Sequence, residues 1–370
     1  MNLRHNRMEN DLVVIEMLKK YKQRIEPLLG EYFLLKTEQA EKIDPLAVET
    51  VEIIRRFVLS GGKRIRPALV YYGYLAAGGK DEESVVRASM AIELAHAFLL
   101  IHDDIIDRDA TRHGIETVHE TYKAHGRKIG LSDSEATHFG NSMAITAGDY
   151  THTMANEILY DIDFEPEITL AALRKIQAIV TRTIPGEMLD VLMGAKGTAT
   201  EEEILRMYEG KTARYTFEGP LHLGCVLAGQ QKNAKLLASL SAYSLPVGNA
   251  FQIRDDILGV FGNEHKLGKS VGADIIEGKQ TLLVSRAFRT GNGNQKKELD
   301  RLLGKKDLTE QEVEIFRQII RETGSLEYSQ KLASKLVSES LSALGQIEFE
   351  NSEARQFLEG IAEYIIKREV

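Results

Sequence analysis

The sequence has one cysteine, no tryptophan and only seven prolines among its 370 residues. A single cysteine, Cys225, excludes a disulfide within the chain, and a small buried side chain in a reducing cytoplasm is the simplest prediction for it. Since 43% of the residues are apolar, the chain is long enough and apolar enough to fold around a hydrophobic core without disulfides.

An excess of positive charge is also absent. The chain carries 47 lysines and arginines against 55 aspartates and glutamates, for a net charge of −8. This balance argues against general nucleic-acid binding, so an anionic ligand must be held by a local cluster of cations or by metal ions.

A targeting segment and a membrane span are not predicted. The first ten residues include Arg4, Arg7 and Glu9 and lack the apolar stretch of a signal peptide. The most apolar runs, 67–79 and 97–101, are shorter than the ~20 residues that cross a bilayer. We therefore expect a cytoplasmic protein without a membrane anchor.

Apolar residues recur at spacings of three and four, as in Val51, Ile54 and Val58, which is typical of amphipathic helices. Alternating strand patterns are hardly present, and no linker or repeat divides the chain. We predict an all-α, single-domain helical bundle, with 290–306 as a polar surface loop. Helices are expected at about 134–160, 166–193, 201–228, 234–262, 275–290, 309–342 and 352–368.

One helix is predicted to be buried on nearly every side. Asp81 is a suitable N-cap, and the helix that follows continues toward Asp107. The glycines at 61 and 62 end the preceding helix, and Pro67 fits the first turn of the next one. Because residues 88–107 are apolar around the whole circumference, their few charges are expected to have a function.

The first of these charges form the sequence HDDIID at 102–107. Asp103 and Asp107 are one helical turn apart, with Asp104 about 100° around the axis, so three carboxylates can face one cavity. Their burial would require a counter-charge, and hard oxygen ligands favour Mg²⁺. A solvated acidic helix face remains an alternative for this motif alone, and His102 lacks the second ligand that a zinc site would need.

A second acidic pair and a basic turn complete the pattern. The stretch FQIRDDIL at 251–258 places Asp255 and Asp256 in another apolar helix, which indicates two sides of one metal site. The turn GGKRIRP at 61–67 offers glycines and cations for an anion. Cations and metal around an apolar cavity suit the departure of pyrophosphate from an allylic carbon, because they stabilise the leaving group while apolar side chains exclude water.

These motifs occur in a fixed order with GDY at 148–150, GEMLD at 186–190, KTA at 211–213 and GADIIEGKQT at 272–281. Over residues 45–290 the sequence resembles the trans-type isoprenyl (polyprenyl) diphosphate synthases, most closely the short-chain geranylgeranyl type. The resemblance implies a homodimeric all-α bundle around a chain-elongation cavity and about three Mg²⁺ ions per site. It also implies condensation of isopentenyl diphosphate with allylic diphosphates of five to fifteen carbons. A further helical segment is expected at about 300–370.

The resemblance also assigns roles to individual residues. The Mg²⁺ ligands would be Asp103, Asp104, Asp107 and Asp255, with Asp256 orienting bound water. The cations that bind the allylic diphosphate would be Arg112, Lys211 and Lys269. The isopentenyl diphosphate pocket would comprise Gly62, Lys63, Arg66 and His96, and further substrate contacts are expected from His113 and Lys279. The oxygens that face the reacting carbons would belong to Thr212 and Gln252.

Three positions depart from the family pattern. His113 stands where a second arginine is usual, and a neutral imidazole would bind isopentenyl diphosphate more weakly. Gly259 replaces the last aspartate of the second acidic motif, and activity is expected to survive because metal binding is assigned chiefly to Asp255. Glu187 stands where glutamine is usual, and the sequence offers no explanation for it.

Product length depends on the residues before the first acidic motif, which in this family form the end of the elongation cavity. Helical geometry places Ala95 and Leu99 near the face of Asp103 and Phe98 about 140° away. The single aromatic at Phe98 resembles the geranylgeranyl-producing members, so a C20 product is expected. A plain core role for Phe98 remains open, as do farnesyl or longer products.

Two other functions are weighed against this one. A class I terpene synthase would share the first acidic motif but would have no use for a second diphosphate pocket around Lys63 and Arg66. A non-catalytic partner subunit would typically carry a damaged metal motif, whereas both aspartate pairs are intact.

Overall fold

The computed structural model describes residues 2–262 and 272–368. Within these ranges the chain is helical except for its connections and a two-stranded antiparallel hairpin in which Thr111 pairs with Glu116. The all-α prediction is confirmed. The first elements are α1 (Asn2–Glu41), α2 (Pro45–Leu59), α3 (Ile65–Ala76), α4 (Glu82–Asp107), β1 (Thr111–Arg112), β2 (Ile115–Glu116), α5 (Val118–Lys128), α6 (Asp133–Tyr160) and α7 (Pro166–Lys196).

The chain continues with a short α-helix that runs directly into a π-helix. The remaining elements are α8 (Glu201–Met207), the π-helix (Tyr208–Glu218), α9 (Gly219–Leu227), α10 (Ala234–Phe261), α11 (Ala273–Glu277), α12 (Leu282–Thr290), α13 (Gly293–Leu302), α14 (Glu310–Glu322), α15 (Ser325–Leu344) and α16 (Ser352–Lys367). One connected cluster of buried apolar side chains extends from Val14 in α1 to Ile365 in α16.

The predicted ends of the early helices are confirmed. The Asp81 carboxylate accepts a hydrogen bond of 3.1 Å from the Ser84 backbone N–H, which caps α4. Helix α2 ends at Leu59, directly before the Ser-Gly-Gly turn, and Pro67 lies in the first turn of α3.

Helix α4 is the one described helix that is long and apolar enough to cross a membrane by length and composition. The uninterrupted apolar runs of the sequence are shorter than this helix, because polar and charged residues separate the apolar residues of α4. However, 72% of the most apolar window of α4 is buried within the bundle. Its apolar character is accounted for by contacts with the other helices, as the sequence predicted for residues 88–107.

Three predicted segments differ from the structure. The stretch 290–306 is not a loop, because α13 forms within it and is stabilised by a capping box of Asn292 and Gln295 and by the buried side chains of Leu299 and Leu302. The predicted helix 309–342 is interrupted at Gly324, which has a φ of 72°. The predicted helix 275–290 is similarly divided by the turn between α11 and α12.

Candidate active site

The last turn of α4 presents three aspartates to three different cations. The Asp103 carboxylate lies 3.6 Å from Nζ of Lys211, and the Asp107 carboxylate lies 2.8 Å from Nζ of Lys279. Asp104 is fully buried and accepts a hydrogen bond of 2.7 Å from Nε of Arg112. Asp103 and Asp107 are therefore paired with lysines of other segments, whereas Asp104 holds the arginine that follows α4.

Lys211 lies in the π-helix and is surrounded by carboxylates. Its Nζ is 2.7 Å from Asp190 and 2.9 Å from Glu187, both in α7, besides its contact with Asp103. Gly186 allows this approach, because a Cβ at that position would lie 2.4 Å from the Lys211 backbone nitrogen. Glu187 thus places a further carboxyl group beside Lys211 and Asp103.

The next residue of the π-helix contacts the second acidic motif. The hydroxyl of Thr212 donates a hydrogen bond of 2.5 Å to Oε1 of Gln252, and Nε2 of Gln252 donates one of 2.9 Å to Asp256. Since Lys211 contacts α4 and Thr212 contacts α10, two adjacent residues connect the two acidic motifs. π-Helical segments often occur at functional sites, where they change the direction of neighbouring side chains.

The two aspartates of the second motif have different partners. Asp256 is buried and accepts a hydrogen bond from the Tyr208 hydroxyl, and burial raises the pKa of its carboxyl to about 8. Asp255 is paired with the guanidinium of Arg368, directly after α16. Both oxygens of Asp256 thus accept hydrogen bonds from neutral side chains, whereas Asp255 is paired with a cation.

A further carboxylate lies beside Gly259. A Cβ at Gly259 would lie 2.0 Å from Oδ2 of Asp274 in α11, so this carboxylate occupies the space that a side chain at 259 would need. Asp274 is also 4.0 Å from Nζ of Lys279, which contacts Glu277 at 2.9 Å. A carboxylate is therefore present next to the position where the family usually has the last aspartate of the motif.

A basic cavity of about 240 Å³ lies next to this cluster. The Arg66 guanidinium contacts His96 at 3.0 Å and Thr216 at 2.9 Å, and Lys63 donates a hydrogen bond of 2.9 Å to the Tyr364 hydroxyl. The side chains and glycines that give the cavity its character are Gly62, Lys63, Arg66, His96, Arg112, His113 and Arg368. Such a concentration of cations suits an anionic group.

The two histidines of the basic cavity are uncharged near neutral pH. Burial lowers the pKa of His96 well below its usual value, and the neighbouring arginines lower it further. Burial followed by the charge of Arg112 also lowers the pKa of His113. The positive charge of the cavity therefore comes from its lysine and arginines.

Several carboxyl groups of the site are harder to ionise than usual. Burial raises the pKa of Asp104 to about 6 and the pKa values of Glu187 and Glu277 to about 7. A raised carboxyl pKa means that the carboxylate form is costly without a further cation nearby. This crowding of acidic groups favours the binding of added positive charge.

The donor set fits Mg²⁺ held together with a diphosphate. Among residues 2–262 and 272–368, no three His, Cys, Asp or Glu side chains form a ready-made metal cage. Mg²⁺ is commonly bound by one or two carboxylates plus phosphate oxygens, and Oδ2 of Asp104 is buried without a hydrogen-bond partner. The oxygen-only ligands of the two acidic motifs match that pattern.

Phe98 is buried between α4 and α6. Its side chain is 8% exposed, and its ring centroid lies 5.0 Å from that of His102 and 4.8 Å from that of His152. Ala95 is fully buried and Leu99 is half-buried. These contacts place Phe98 in the interior on the α6 side of α4.

The comparisons with known proteins agree with this geometry. A family model described as polyprenyl synthetase matches residues 48–321. The chain belongs to the polyprenyl synthetase family. A geranylgeranyl diphosphate synthase of Saccharolobus solfataricus is 33% identical to it over 84% of this chain and 87% of that protein. A geranylfarnesyl diphosphate synthase of Natronomonas pharaonis is 30% identical over 85% and 88%, respectively.

A solved structure is similar over nearly the whole length of this polyprenyl synthetase. It is a geranylgeranyl pyrophosphate synthase of Corynebacterium glutamicum in complex with isoprenyl diphosphate and magnesium. The TM-score is 0.89 and the sequence identity 32%, covering 95% of this chain and 99% of that one. The family and the prenyltransferase class expected from the ordered motifs are confirmed.

The structure of this polyprenyl synthetase brings most of the residues expected in the site into one contact network, through Lys211, Gln252 and the basic cavity. Lys269 lies outside the described residues, so its expected role stays a prediction. Five contributors were not foreseen: Asp190, Tyr208, Asp274, Glu277 and Arg368. Asp190, Asp274 and Glu277 lie within quoted motifs, whereas Tyr208 and Arg368 lie outside any motif, so only the fold could indicate them.

Proposed function

We propose that this prenyltransferase condenses isopentenyl diphosphate with allylic diphosphates of five to fifteen carbons and that its main product is the C20 compound geranylgeranyl diphosphate. The geranylgeranyl diphosphate synthase of S. solfataricus supports this product. The geranylfarnesyl diphosphate synthase of N. pharaonis, at 30% identity, keeps a longer product as the second candidate.

Two adjacent residues of the π-helix make the contacts that support this function most strongly. Lys211 lies 3.6 Å from Asp103, and Thr212 lies 2.5 Å from Gln252, so a cation and a hydroxyl lie side by side between the two acidic motifs. In the proposed reaction Lys211 binds the diphosphate that leaves. The oxygens of Thr212 and Gln252 stabilise positive charge at the allylic carbons.

The proposed metal ligands are Asp103, Asp104, Asp107 and Asp255, with Asp256 orienting water. Bound Mg²⁺ would offset the negative charge that develops on the departing pyrophosphate. Arg112 and Lys211 would donate hydrogen bonds directly to the pyrophosphate. Lys279, which lies 2.8 Å from Asp107, is close enough to this proposed metal ligand to contact the pyrophosphate as well. These cations are already desolvated, which strengthens their interaction with a bound anion.

The basic cavity is proposed to bind isopentenyl diphosphate. Lys63 and Arg66 would hold its diphosphate, and His96, which contacts Arg66, would fix the direction of that guanidinium. The substrate double bond would then face the allylic carbon near Thr212. No protein base is required if the departed pyrophosphate accepts the proton after the carbon–carbon bond forms, as the family resemblance implies.

We further propose a single-domain homodimer. Apolar side chains are exposed on α6 and α7, which is unusual for a surface without a partner. They are Ile145, Ile184, Met188, Val191 and Leu192. The cytoplasmic location expected from the composition stays a prediction.

The function is tested by incubating the protein with Mg²⁺, isopentenyl diphosphate and, in separate reactions, C5, C10 or C15 allylic diphosphate. Dephosphorylated products are then separated by chromatography. The expected product is a linear C20 alcohol in every reaction. Hydrocarbon released from the allylic substrate without isopentenyl diphosphate would instead identify a terpene synthase, and absence of any product would contradict the proposal.

A further inference from the structure

The carboxyl-terminal helix α16 brings two side chains to the site. Tyr364 and Arg368 are four residues apart, so they project on one side of the helix end. The Tyr364 hydroxyl accepts a hydrogen bond of 2.9 Å from Lys63, and the Arg368 guanidinium pairs with Asp255. The end of α16 therefore contacts one cation of the basic cavity and one proposed metal ligand.

Arg368 is held by several contacts with α10. Its backbone carbonyl accepts hydrogen bonds of 3.0 and 2.6 Å from Arg254. Its guanidinium lies 3.9 Å from the centroid of the Phe251 ring and donates to the Phe251 carbonyl at 3.3 Å. Since 251, 254 and 255 lie on one face of α10, this face of the helix binds both the backbone carbonyl and the guanidinium of Arg368.

The position leaves one donor unsatisfied. Arg368 is only 8% exposed, yet its Nε is buried without a hydrogen-bond partner. Arg66, which also lines the basic cavity, has a buried Nε in the same condition. Three arginines beside one cavity, Arg64, Arg66 and Arg368, therefore keep a buried donor that a bound anion can satisfy.

A guanidinium and a metal ion compete for the same carboxylate. A guanidinium and a metal ion at the oxygens of Asp255 would both be positively charged, and they would repel each other at that short separation. We propose that Arg368 is the counter-ion of Asp255 while the site holds no metal, and that it leaves Asp255 when Mg²⁺ binds together with a diphosphate. Arg368 is thereby a positioning residue that links metal loading to the end of α16.

This inference rests on the proposed function, because it takes Asp255 as a metal ligand. The linkage is reciprocal: if the metal–diphosphate complex releases Arg368, then Arg368 must weaken binding of that complex by the same factor. The release of Arg368 and the change in affinity for the metal–diphosphate complex can both be measured without catalytic turnover.

The first experiment uses the unmodified protein. Arginine side chains are labelled with phenylglyoxal, in EDTA or with Mg²⁺ plus inorganic pyrophosphate, and the adducts are quantified by peptide mass spectrometry. Labelling of Arg368 is expected to be slow in EDTA and at least about fivefold faster with Mg²⁺ and pyrophosphate. Arg355, which is exposed on α16, is the internal control and should react equally in both conditions. An unchanged or slower rate at Arg368 would overturn the proposal.

The second experiment measures Mg²⁺ binding in the presence of pyrophosphate by calorimetry. Arg368→Gln removes the competing cation and is expected to lower the half-saturating Mg²⁺ concentration about fivefold or more. Arg368→Lys should restore the original value, and Arg355→Gln should leave it unchanged. Equal Mg²⁺ affinity in Arg368→Gln and the unmodified protein would contradict the linkage.

Asp255→Asn separates this inference from the proposed function. If Asp255→Asn does not weaken Mg²⁺–pyrophosphate binding, the assignment of Asp255 as a ligand is wrong. If it does weaken binding while Arg368 labelling and Arg368→Gln show no effect, the metal site stands and the role of Arg368 is refuted.

Discussion

Gly259 affects the site because it has no side chain. The Asp274 carboxylate of α11 occupies the space that a side chain at position 259 would need. Its Oδ2 lies 2.0 Å from the point where a Cβ of residue 259 would be. The absence of a side chain therefore permits α11 to approach α10 closely. The sequence showed the glycine as a departure from the family pattern, and the structure supplies the neighbour that explains why the glycine fits.

Gly259→Ala is expected to displace the Asp274 carboxylate and therefore to gain less stability than the about 0.5–1 kcal/mol that alanine usually adds over glycine within a helix. Gly30→Ala in α1 is the control: nothing lies within 4 Å of the point that its Cβ would occupy, so no loss is expected there. Urea unfolding of both variants makes the comparison. A gain in stability at Gly259→Ala as large as that at Gly30→Ala would mean that Asp274 is not held in this position.

Phe98→Ala is expected to lengthen the product beyond C20, because the ring is the bulkiest group before the first acidic motif and is packed between two histidines. Removing a buried phenyl group also costs about 3–5 kcal/mol of stability. Phe316→Ala, at a fully buried position in α14, is the control for that loss. A product distribution unchanged in Phe98→Ala would reject Phe98 as the end of the elongation cavity.

His113→Arg is expected to lower KM for isopentenyl diphosphate about tenfold with little change in kcat, since it adds a charged hydrogen bond to a cavity in which the imidazole is neutral. Steady-state kinetics at pH 7 and 8 test this. His138→Arg, at an exposed position in α6, is the matched control. Identical KM values for His113→Arg and the unmodified protein would exclude His113 from substrate binding.

At the scale of helices, α7, α9 and α10 share a buried polar contact outside the site. Nζ of Lys175 lies 2.9 Å from Nδ1 of His222, and Nε2 of His222 lies 2.9 Å from the Leu237 carbonyl oxygen. Burial, followed by the charge of Lys175, lowers the pKa of His222 to about 4. This imidazole is therefore neutral in the fold throughout the mildly acidic range.

The contact makes stability depend on pH. In the unfolded chain His222 binds a proton near its ordinary pKa of about 6.5, whereas in the fold it does so only near 4. Between these values the unfolded state binds more protons, so this histidine lowers stability as the pH falls. When the pH is lowered from 7 to 5, the melting temperature of the His222→Gln variant is expected to fall less than that of the unmodified protein. Parallel melting-temperature curves for the two proteins would contradict this.

Helix periodicity and capping residues were sufficient to predict most elements, because apolar spacing and Asp81-type caps are local. Apolar spacing did not predict α13, because only two leucines of this helix are buried. The sequence feature that marks α13 is the capping box that begins at Asn292. The two acidic motifs and the basic turn were readable because their chemistry is concentrated in sequence. The role of Arg368 could not be predicted from the sequence. Its partner Asp255 lies 113 positions away, and only the packing of α16 on α10 brings the two residues together.

On the scale of the whole molecule, exposed apolar residues at 184, 188 and 191 recur with helical spacing on α7. Met188→Glu is expected to shift the protein from dimer to monomer, because a charge would be buried at the proposed interface. Ile129→Glu, at a position 71% exposed near the end of α5, should leave the dimer intact. Size-exclusion chromatography with light scattering distinguishes the two, and a monomeric unmodified protein would refute the homodimer.

The location of Arg368 has a practical consequence for handling the protein. A purification tag or fusion partner appended after Val370 would begin three residues after Arg368, whose guanidinium pairs with Asp255. We expect such an extension to disturb the pairing of Arg368 with Asp255, which would change the metal affinity measured for the enzyme. Tags on the opposite terminus, or a cleavable sequence removed before assay, avoid this artefact.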